Sequence, residues 1–184
     1  MQVMIGVPNM GMISSGLASW LMTHERFGHD TKIIPMQSSI FRPLTKNRNY
    51  IRDVFLDSGF DFCLQLDNDI IPCDNLINMV DNDVDICSAH LRTVKNSQLM
   101  TLCMHERDDG YIPQNVGNGL VECDAIGGGC MLIKREVLEK VEFPYITNEC
   151  ASEDFGFCKR AKESGFKVYM DFRFKCSHYT MCYL

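Results

Sequence analysis

A short apolar run that ends abruptly in two carboxylates constrains this chain more than any other feature. Residues 60–66 read FDFCLQL, which is typical of an interior strand of a sheet. Asp67 and Asp69 follow it, with Asn68 between them. Open α/β sheets bind ligands at the carboxyl ends of their strands, and two close carboxylates repel each other unless a positive charge lies between them. A divalent cation with oxygen ligands meets this need, although the same residues, followed by Pro72, also suit a simple turn.

Strand and helix signals alternate through the first half of the chain. Strands are predicted at residues 3–7, 31–36, 60–66 and 84–89, with helices from Ser14 or Ser15 to residue 26, at 43–58 and at 74–80. This βαβαβαβ order predicts an α/β fold with a mostly parallel sheet and right-handed crossovers. Further strands are predicted at 98–105, 120–126, 129–133 and 167–171, helices at 135–141 and 153–164, and a polar, mobile loop at 107–118.

The length and composition indicate a single globular domain. A chain of 184 residues can bury a substantial core, and 46% hydrophobic with 23% charged residues is typical of a soluble protein. The apolar runs are too short to span a membrane, and the first residues lack the basic region of a signal peptide. Five of the ten cysteines, Cys63, Cys87, Cys103, Cys130 and Cys158, lie in strand-like or helix-like runs, and the sequence has no Cys-x-x-Cys pair. This favours a reducing, cytoplasmic setting over a disulfide framework or a structural zinc site, although Cys176 and Cys182 could each pair.

The charge of the chain gives two contrasting indications. The formal net charge of −6 disfavours, without excluding, a nucleic-acid partner. Basic residues nevertheless cluster at Arg42, Lys46, Arg48 and Arg52. The cluster is either the solvated face of a helix or a contact for the phosphates of a nucleotide.

Three further features follow the acidic triplet: residues 125–133 (AIGGGCMLI), residues 151–161 (ASEDFGFCKRA) and His178. Each also has a structural explanation. The glycines suit a bend before a strand, or the close approach of a ligand to the backbone. Glu153 and Asp154 suit the first turn of a helix capped by Ser152, and His178 could be an ordinary surface histidine.

In this order the motifs resemble those of the GT-A glycosyltransferases, especially family-2-like members of small viral or phage type. Asp67-Asn68-Asp69 matches their DxD motif, Glu153-Asp154 their second acidic motif, and His178 a late histidine that ligates metal in some members. The resemblance covers nearly the whole chain. It implies one GT-A domain with a mixed, mostly parallel sheet flanked by helices, in which residues 1–90 bind the nucleotide and residues 91–184 bind the sugar and the acceptor.

The resemblance also implies an activity. The chain is expected to be a hexosyltransferase-type enzyme that moves a sugar from a nucleotide-diphosphate sugar, expected to be a UDP-sugar, to an acceptor hydroxyl. Mn²⁺ or Mg²⁺ held by Asp67, Asp69 and His178 would neutralise the charge that develops on the diphosphate. Asp154 would accept the proton of the acceptor hydroxyl, and Glu153 would orient the acceptor.

Contacts with the donor are expected from Pro8, Asn9, Gln37, Arg48, Asn68, Gly127, Gly128 and Gly129. Gln37 stands where many relatives carry an acidic residue that reads the base, so the identity of the nucleotide stays open. The acceptor could be a glycan, a lipid, a protein or a hydroxymethylated base in viral or phage DNA. The stereochemical outcome and the oligomeric state are also open.

Two other classes of function are compatible with an α/β sheet. A nucleotidyltransferase usually carries a glycine-rich basic loop after its first strand, whereas residues 8–13 read PNMGMI and have no lysine or arginine. A non-catalytic module that binds sugar nucleotides would not need both acidic motifs together with His178. The sequence therefore favours the enzyme.

Overall fold

The structure of the chain is a computed structural model that describes residues 1–9, 11–23, 29–35, 43–95, 98–144 and 152–179. The helices are α1 (Ser15–Thr23), α2 (Leu44–Leu56), α3 (Arg135–Lys140) and α4 (Glu153–Glu163), with a 3₁₀ helix at Leu76–Asn82. The strands are β1 (Gln2–Val7), β2 (Asp30–Pro35), β3 (Phe62–Leu66), β4 (Ile70–Ile71), β5 (Ile86–His90), β6 (Arg92–Lys95), β7 (Gln98–Thr101), β8 (Cys103–Arg107), β9 (Gly110–Pro113), β10 (Leu120–Cys123), β11 (Ala125–Ile126), β12 (Cys130–Lys134), β13 (Val168–Lys175) and β14 (Ser177–His178).

The main sheet has seven strands in the order β10-β13-β5-β12-β3-β1-β2. Strand β1 pairs in parallel with β2 and β3, and β13 pairs in parallel with β5. Strand β12 is antiparallel to both of its neighbours, and β10 is antiparallel to β13. The sheet is therefore mixed, as expected, but it has three parallel and three antiparallel pairings rather than a parallel majority. The insertion of β12 between β3 and β5 causes this difference.

The two faces of the sheet carry separate apolar clusters. Successive residues of a strand point to opposite faces, so Cys63 of β3 lies in one cluster and Leu64 in the other. Helices α2 and α4 cover the first face through residues such as Phe55 and Phe157, whereas α1 covers the second through Leu17. This layered arrangement brings the carboxyl ends of the parallel strands to one edge, between the helices.

Several predicted elements differ in their bounds or type. Residues 107–118 do not form only a loop, because β8 and β9 pair as an antiparallel hairpin across residues 103–113. The predicted strand at 98–105 is two strands interrupted at Leu102, and the last long strand extends to Lys175 instead of residue 171. The predicted helix at 74–80 is the 3₁₀ helix. The hairpin is short and its turn is rich in turn-forming residues. The sequence pattern at 107–118 therefore predicts a loop.

The cysteines follow the prediction. Cys63, Cys87, Cys103, Cys130 and Cys158 are buried as free thiols, in the manner of small apolar side chains. Cys182 lies outside the described residues. In the part of the chain that the structure describes, no helix is long and apolar enough to cross a membrane.

Candidate active site

The acidic triplet lies at the carboxyl end of the central strand β3. Residue register pairs Gly6 of β1 with Gln65 of β3 in parallel, so both strands end at the same edge. The amide of Asp67 donates to the carbonyl of Gly129 at 2.9 Å, and the amide of Ile70 donates back to the carbonyl of Asp67 at 3.1 Å. The triplet thus forms a tight turn, and it lies at the edge of the sheet where open α/β folds bind their ligands.

A buried arginine, Arg48 of α2, holds the first carboxylate. Its side chain is 1% exposed, and its Nη2 lies 2.8 Å from Oδ1 of Asp67. Its Nε donates to Oε1 of Glu153 at 3.2 Å, and its Nη1 donates to Oε1 of Gln65 at 3.2 Å. Arg48 therefore joins the two acidic motifs of the sequence, which lie on β3 and α4. The sequence predicted that it would contact the donor; the structure places its guanidinium among protein side chains.

The electrostatic environment of Asp67 is unusual for a carboxylate. Its pKa is raised to about 6, chiefly by burial, and the charges of Asp69 and Glu153 raise it as well, while Arg48 opposes them. A carboxylate destabilised by its acidic neighbours gains more than an exposed one from an added positive charge. Burial and the nearby charges of Asp69 and Glu153 thus both disfavour the ionised form of Asp67, and Arg48 favours it.

The second acidic motif begins α4, and its two residues face different surroundings. Glu153 is 8% exposed and pairs with Arg48. Asp154 is half-buried: its Oδ2 accepts the amide of Gly128 at 2.8 Å, while its Oδ1 accepts the amide of Phe155 at 2.8 Å and the hydroxyl of Ser152. These bonds fix the direction of the Asp154 carboxylate and leave part of its acceptor capacity open. Glu153 is hydrogen-bonded to Arg48 through Oε1, and its expected role in orienting the acceptor stays a prediction.

The three glycines before β12 are packed against protein atoms. A Cβ on Gly127 would lie 2.4 Å from Cδ1 of Leu102, and one on Gly128 would lie 2.6 Å from Nη2 of Arg48. A Cβ on Gly129 would lie 3.1 Å from Leu91. The missing side chains thus make room for neighbours within the fold, which is a structural explanation besides the predicted approach of a donor sugar.

The carboxylate of Asp69 is hydrogen-bonded to His178. Strand β14 pairs with β4 so that His178 lies opposite Ile70, and the amide of Tyr179 donates to the carbonyl of Asp69 at 2.7 Å. Nε2 of His178 lies 3.1 Å from Oδ2 of Asp69. This hydrogen bond raises the pKa of His178 and lowers the pKa of Asp69. Residues that lie 109 positions apart are thus brought together.

Asp67, Asp69 and His178 are the candidate metal ligands at this edge of the sheet. Among the described residues, no group of three or more His, Cys, Asp or Glu side chains is placed to hold a metal ion. The donor types still suit Mn²⁺, because two carboxylates and an imidazole are ligands that this ion accepts. Asp69 and Glu153 also add to the negative charge around Asp67. Asp67, Asp69 and His178 thus have donor types that suit such an ion, without forming a closed set of ligands among the described residues.

A cavity of about 560 Å³ opens beside Asp69 and His178. Asn68 also lines it, and its Nδ2 donates to the carbonyl of Met12 at 2.9 Å, tying the triplet to the segment before α1. A second cavity of about 550 Å³ lies at the opposite edge, beside Asp61 and Arg135. That edge holds the amino ends of the parallel strands, away from both acidic motifs.

Of the other residues expected to contact the donor, only some are described at this edge of the sheet. Pro8 and Asn9 follow β1, and Nδ2 of Asn9 donates to the carbonyl of Val7 at 3.1 Å. Gln37 lies outside the described residues. Gln65 was missed by the sequence reasoning, yet it is fully buried and binds Arg48. A glutamine within an otherwise apolar strand indicates a buried polar contact, and this signal could have identified Gln65.

The similarity of this chain to known proteins is found at the level of structure. No protein-family model matches the sequence, and no curated protein matches it. The solved structure of A197 from STIV is similar, with a TM-score of 0.68 and 20% identity over 98% of this chain and 87% of that one. The structure of GalNAc-T7 with UDP, GalNAc and Mn²⁺ has a TM-score of 0.56 at 9% identity, over 97% of this chain.

This chain has a GT-A-like fold. Its mixed sheet, flanked by helices in a single domain, agrees with the fold class that the sequence predicted. The chain spans 44% of the length of GalNAc-T7, so the likeness concerns one portion of that larger protein. At these levels of identity the likeness concerns the fold.

Proposed function

We propose that this protein is a metal-dependent glycosyltransferase that moves a hexosyl group from a UDP-sugar to an acceptor hydroxyl. The observation that supports this best is the contact between Asp69 and His178, two residues after Asp67, at the carboxyl end of β3 in a GT-A-like sheet. The solved structure of GalNAc-T7 contains UDP, GalNAc and Mn²⁺, which agrees with this donor and this ion.

Asp67, Asp69 and His178 are the residues that would hold Mn²⁺, or Mg²⁺, together with the donor. The bound ion would offset the negative charge that develops on the departing diphosphate. Arg48 keeps the Asp67 carboxylate in a fixed position through the contact at 2.8 Å. Glu153 in turn fixes Arg48, so we assign Glu153 a positioning role in place of direct contact with the acceptor.

Asp154 is the proposed general base. The bond between the anomeric carbon and the phosphate oxygen breaks, a bond from that carbon to the acceptor oxygen forms, and the hydroxyl proton passes to Asp154. Its hydrogen bonds from Gly128 and Phe155 hold the carboxylate ready for this transfer. The residues proposed to contact the donor are Asn68, Pro8, Asn9 and the glycine segment 127–129. In this proposal residues 1–90 bind the nucleotide, and residues 91–184 bind the sugar and the acceptor.

The test is a panel of nucleotide sugars incubated with the protein and Mn²⁺, with the products identified by mass. We expect release of UDP from at least one UDP-sugar, and transfer once a suitable acceptor is added. The acceptor panel includes glycans, lipids, proteins and hydroxymethylated DNA. Release of pyrophosphate from nucleoside triphosphates with no sugar nucleotide consumed would instead indicate a nucleotidyltransferase, and binding without turnover would indicate a non-catalytic module.

A further inference from the structure

Two adjoining cavities lie at the carboxyl ends of β5 and β13, beyond His178. Their volumes are about 480 and 380 Å³, and both are lined by His90, Arg92 and Lys175. We call the two together the basic cavity. The larger one is also lined by Val94 and His178, which line the cavity beside Asp69 as well. The basic cavity therefore adjoins the proposed metal site.

The fold brings His90, Arg92 and Lys175 to one place. Strands β5 and β13 are parallel neighbours, and Lys175 pairs with His90 after a register shift that begins at Asp171. Such an irregularity re-aims the residues that follow it. Arg92 begins β6 two residues after His90, and β6 contacts β14, the strand that carries His178. Arg92 thus lies on a strand next to a residue of the proposed metal site.

The charge of the basic cavity opposes that of the whole chain. The chain carries a net charge of −6, yet no acidic side chain is found among the described residues that line either part of the basic cavity. In the described ranges, Arg92 and Lys175 have no ion pair, whereas Arg173 nearby is paired with Asp171. Arg92 and Lys175 line the same space as His90, and burial and then their charges lower the pKa of His90.

An apolar wall stands beside these cations. Val94 and Leu99 pair across the hairpin of β6 and β7, and their side chains are 61% and 57% exposed. Both line the larger part of the basic cavity. Exposed apolar side chains that line a cavity together are typical of a binding surface. The surroundings therefore suit a ligand with an anionic group next to a hydrocarbon portion.

We propose that the basic cavity is the subsite for an anionic group of the acceptor, a phosphate monoester or a carboxylate, whose carbon skeleton lies against Val94 and Leu99. This inference rests on the proposed function, because it assigns the cavity to the acceptor. The position supports the acceptor over the donor, since the residues expected to bind the nucleotide follow β1 and β3, whereas the basic cavity follows β5 and β13. Arg92 and Lys175 would neutralise the anion through charge-assisted hydrogen bonds.

Binding of small probes tests this without turnover. Hexyl phosphate and hexanoate are titrated into the protein, with 1-hexanol as the neutral probe and inorganic phosphate as the probe without a carbon chain. We expect hexyl phosphate or hexanoate to bind more tightly than 1-hexanol and inorganic phosphate, and the tighter of the two identifies the anion. In the Arg92→Gln/Lys175→Gln variant the affinity should fall by at least about tenfold.

A charge-matched control separates the site from general electrostatics. Lys159→Gln/Arg160→Gln removes two exposed cations from α4, far from the basic cavity, and should leave the affinity unchanged. Thermal unfolding of both variants checks their folding. Equal weakening in the two variants, equal binding of all four probes, or displacement of hexyl phosphate by UDP with Mn²⁺ would overturn the proposal. If the unaltered protein binds hexyl phosphate but does not bind UDP with Mn²⁺, only the proposed function is overturned.

Discussion

Arg48 is the residue on which the geometry of the site most depends. Its buried guanidinium contacts Asp67, Glu153 and Gln65, which come from β3, the turn that follows it, and the distant helix α4. A planar fork of donors can serve several acceptors at once, whereas a lysine supplies a single compact charge. The arginine therefore sets the positions of both acidic motifs simultaneously.

We predict that Arg48→Met destabilises the protein by about 3–5 kcal/mol, because it leaves the carboxylate of Glu153 buried without a partner. Chemical denaturation measures the loss. The double variant Arg48→Met/Glu153→Gln should recover part of the stability, since it removes the unpaired charge. The free energy of unfolding of Glu153→Gln alone gives the reference. If adding Glu153→Gln to Arg48→Met lowers the free energy of unfolding as much as it does in the natural protein, the two side chains do not act as a pair.

Asp154 is the residue whose change should affect chemistry with little effect on binding. Asp154→Asn keeps the shape of the side chain but removes the proton acceptor, and we expect turnover to fall by roughly 10²–10⁴-fold. Affinity for the donor should stay nearly constant. Glu163→Gln, an exposed acid on the same helix, is the matched control. Collapse of donor binding with normal turnover of bound donor would make Asp154 a binding residue, and a product of retained configuration would argue against a simple base.

Gly128 tests the packing around Arg48. A methyl group there would lie 2.6 Å from Nη2 of Arg48 and 3.2 Å from Cβ of Asp154, so Gly128→Ala must displace one of them. We expect a large loss of transfer activity with the overall fold retained by circular dichroism. Gly59→Ala is the control, because nothing lies within 4 Å of the position of its Cβ. Equal activity of the two variants would show that the close approach at Gly128 does not matter.

At the scale of elements, the pairing of β14 with β4 carries His178 to Asp69. The described part of the chain after β13, through Tyr179, is held in a short antiparallel pair. Two residues of pairing are a weak attachment, and the contact at Asp69 adds to it.

We predict that His178→Ala weakens activity with Mn²⁺ more than activity with Mg²⁺, since imidazole suits transition metals better than magnesium. Initial rates measured against the concentration of each ion give the two apparent affinities. His105→Ala is the control, because His105 binds Gln114 away from the triplet. The same loss with both ions, or no loss at all, would leave His178 as an ordinary histidine of the surface.

At the scale of the whole molecule, the sequence predicted the fold class and the edge at which the acidic residues lie. Local signals sufficed there, because the strand before Asp67 and the helix start at Glu153 are read from neighbouring residues. The central role of Arg48 was missed, since its contact with Glu153 spans 105 positions. The antiparallel placement of β12 was missed for the same reason: strand order depends on long-range packing that periodicity does not record.

The most direct test of the whole account is UDP release from a UDP-sugar, measured with Mn²⁺, with excess EDTA, and in the variants Asp67→Ala and Asp69→Ala. Both positions lie at the open end of β3 and are only partly buried, so the variants should fold, and thermal unfolding checks this. We predict activity with Mn²⁺ in the natural protein, its loss in EDTA with recovery on adding Mn²⁺ or Mg²⁺, and no activity in either variant. Full activity in excess EDTA, or in both folded variants, would contradict the account.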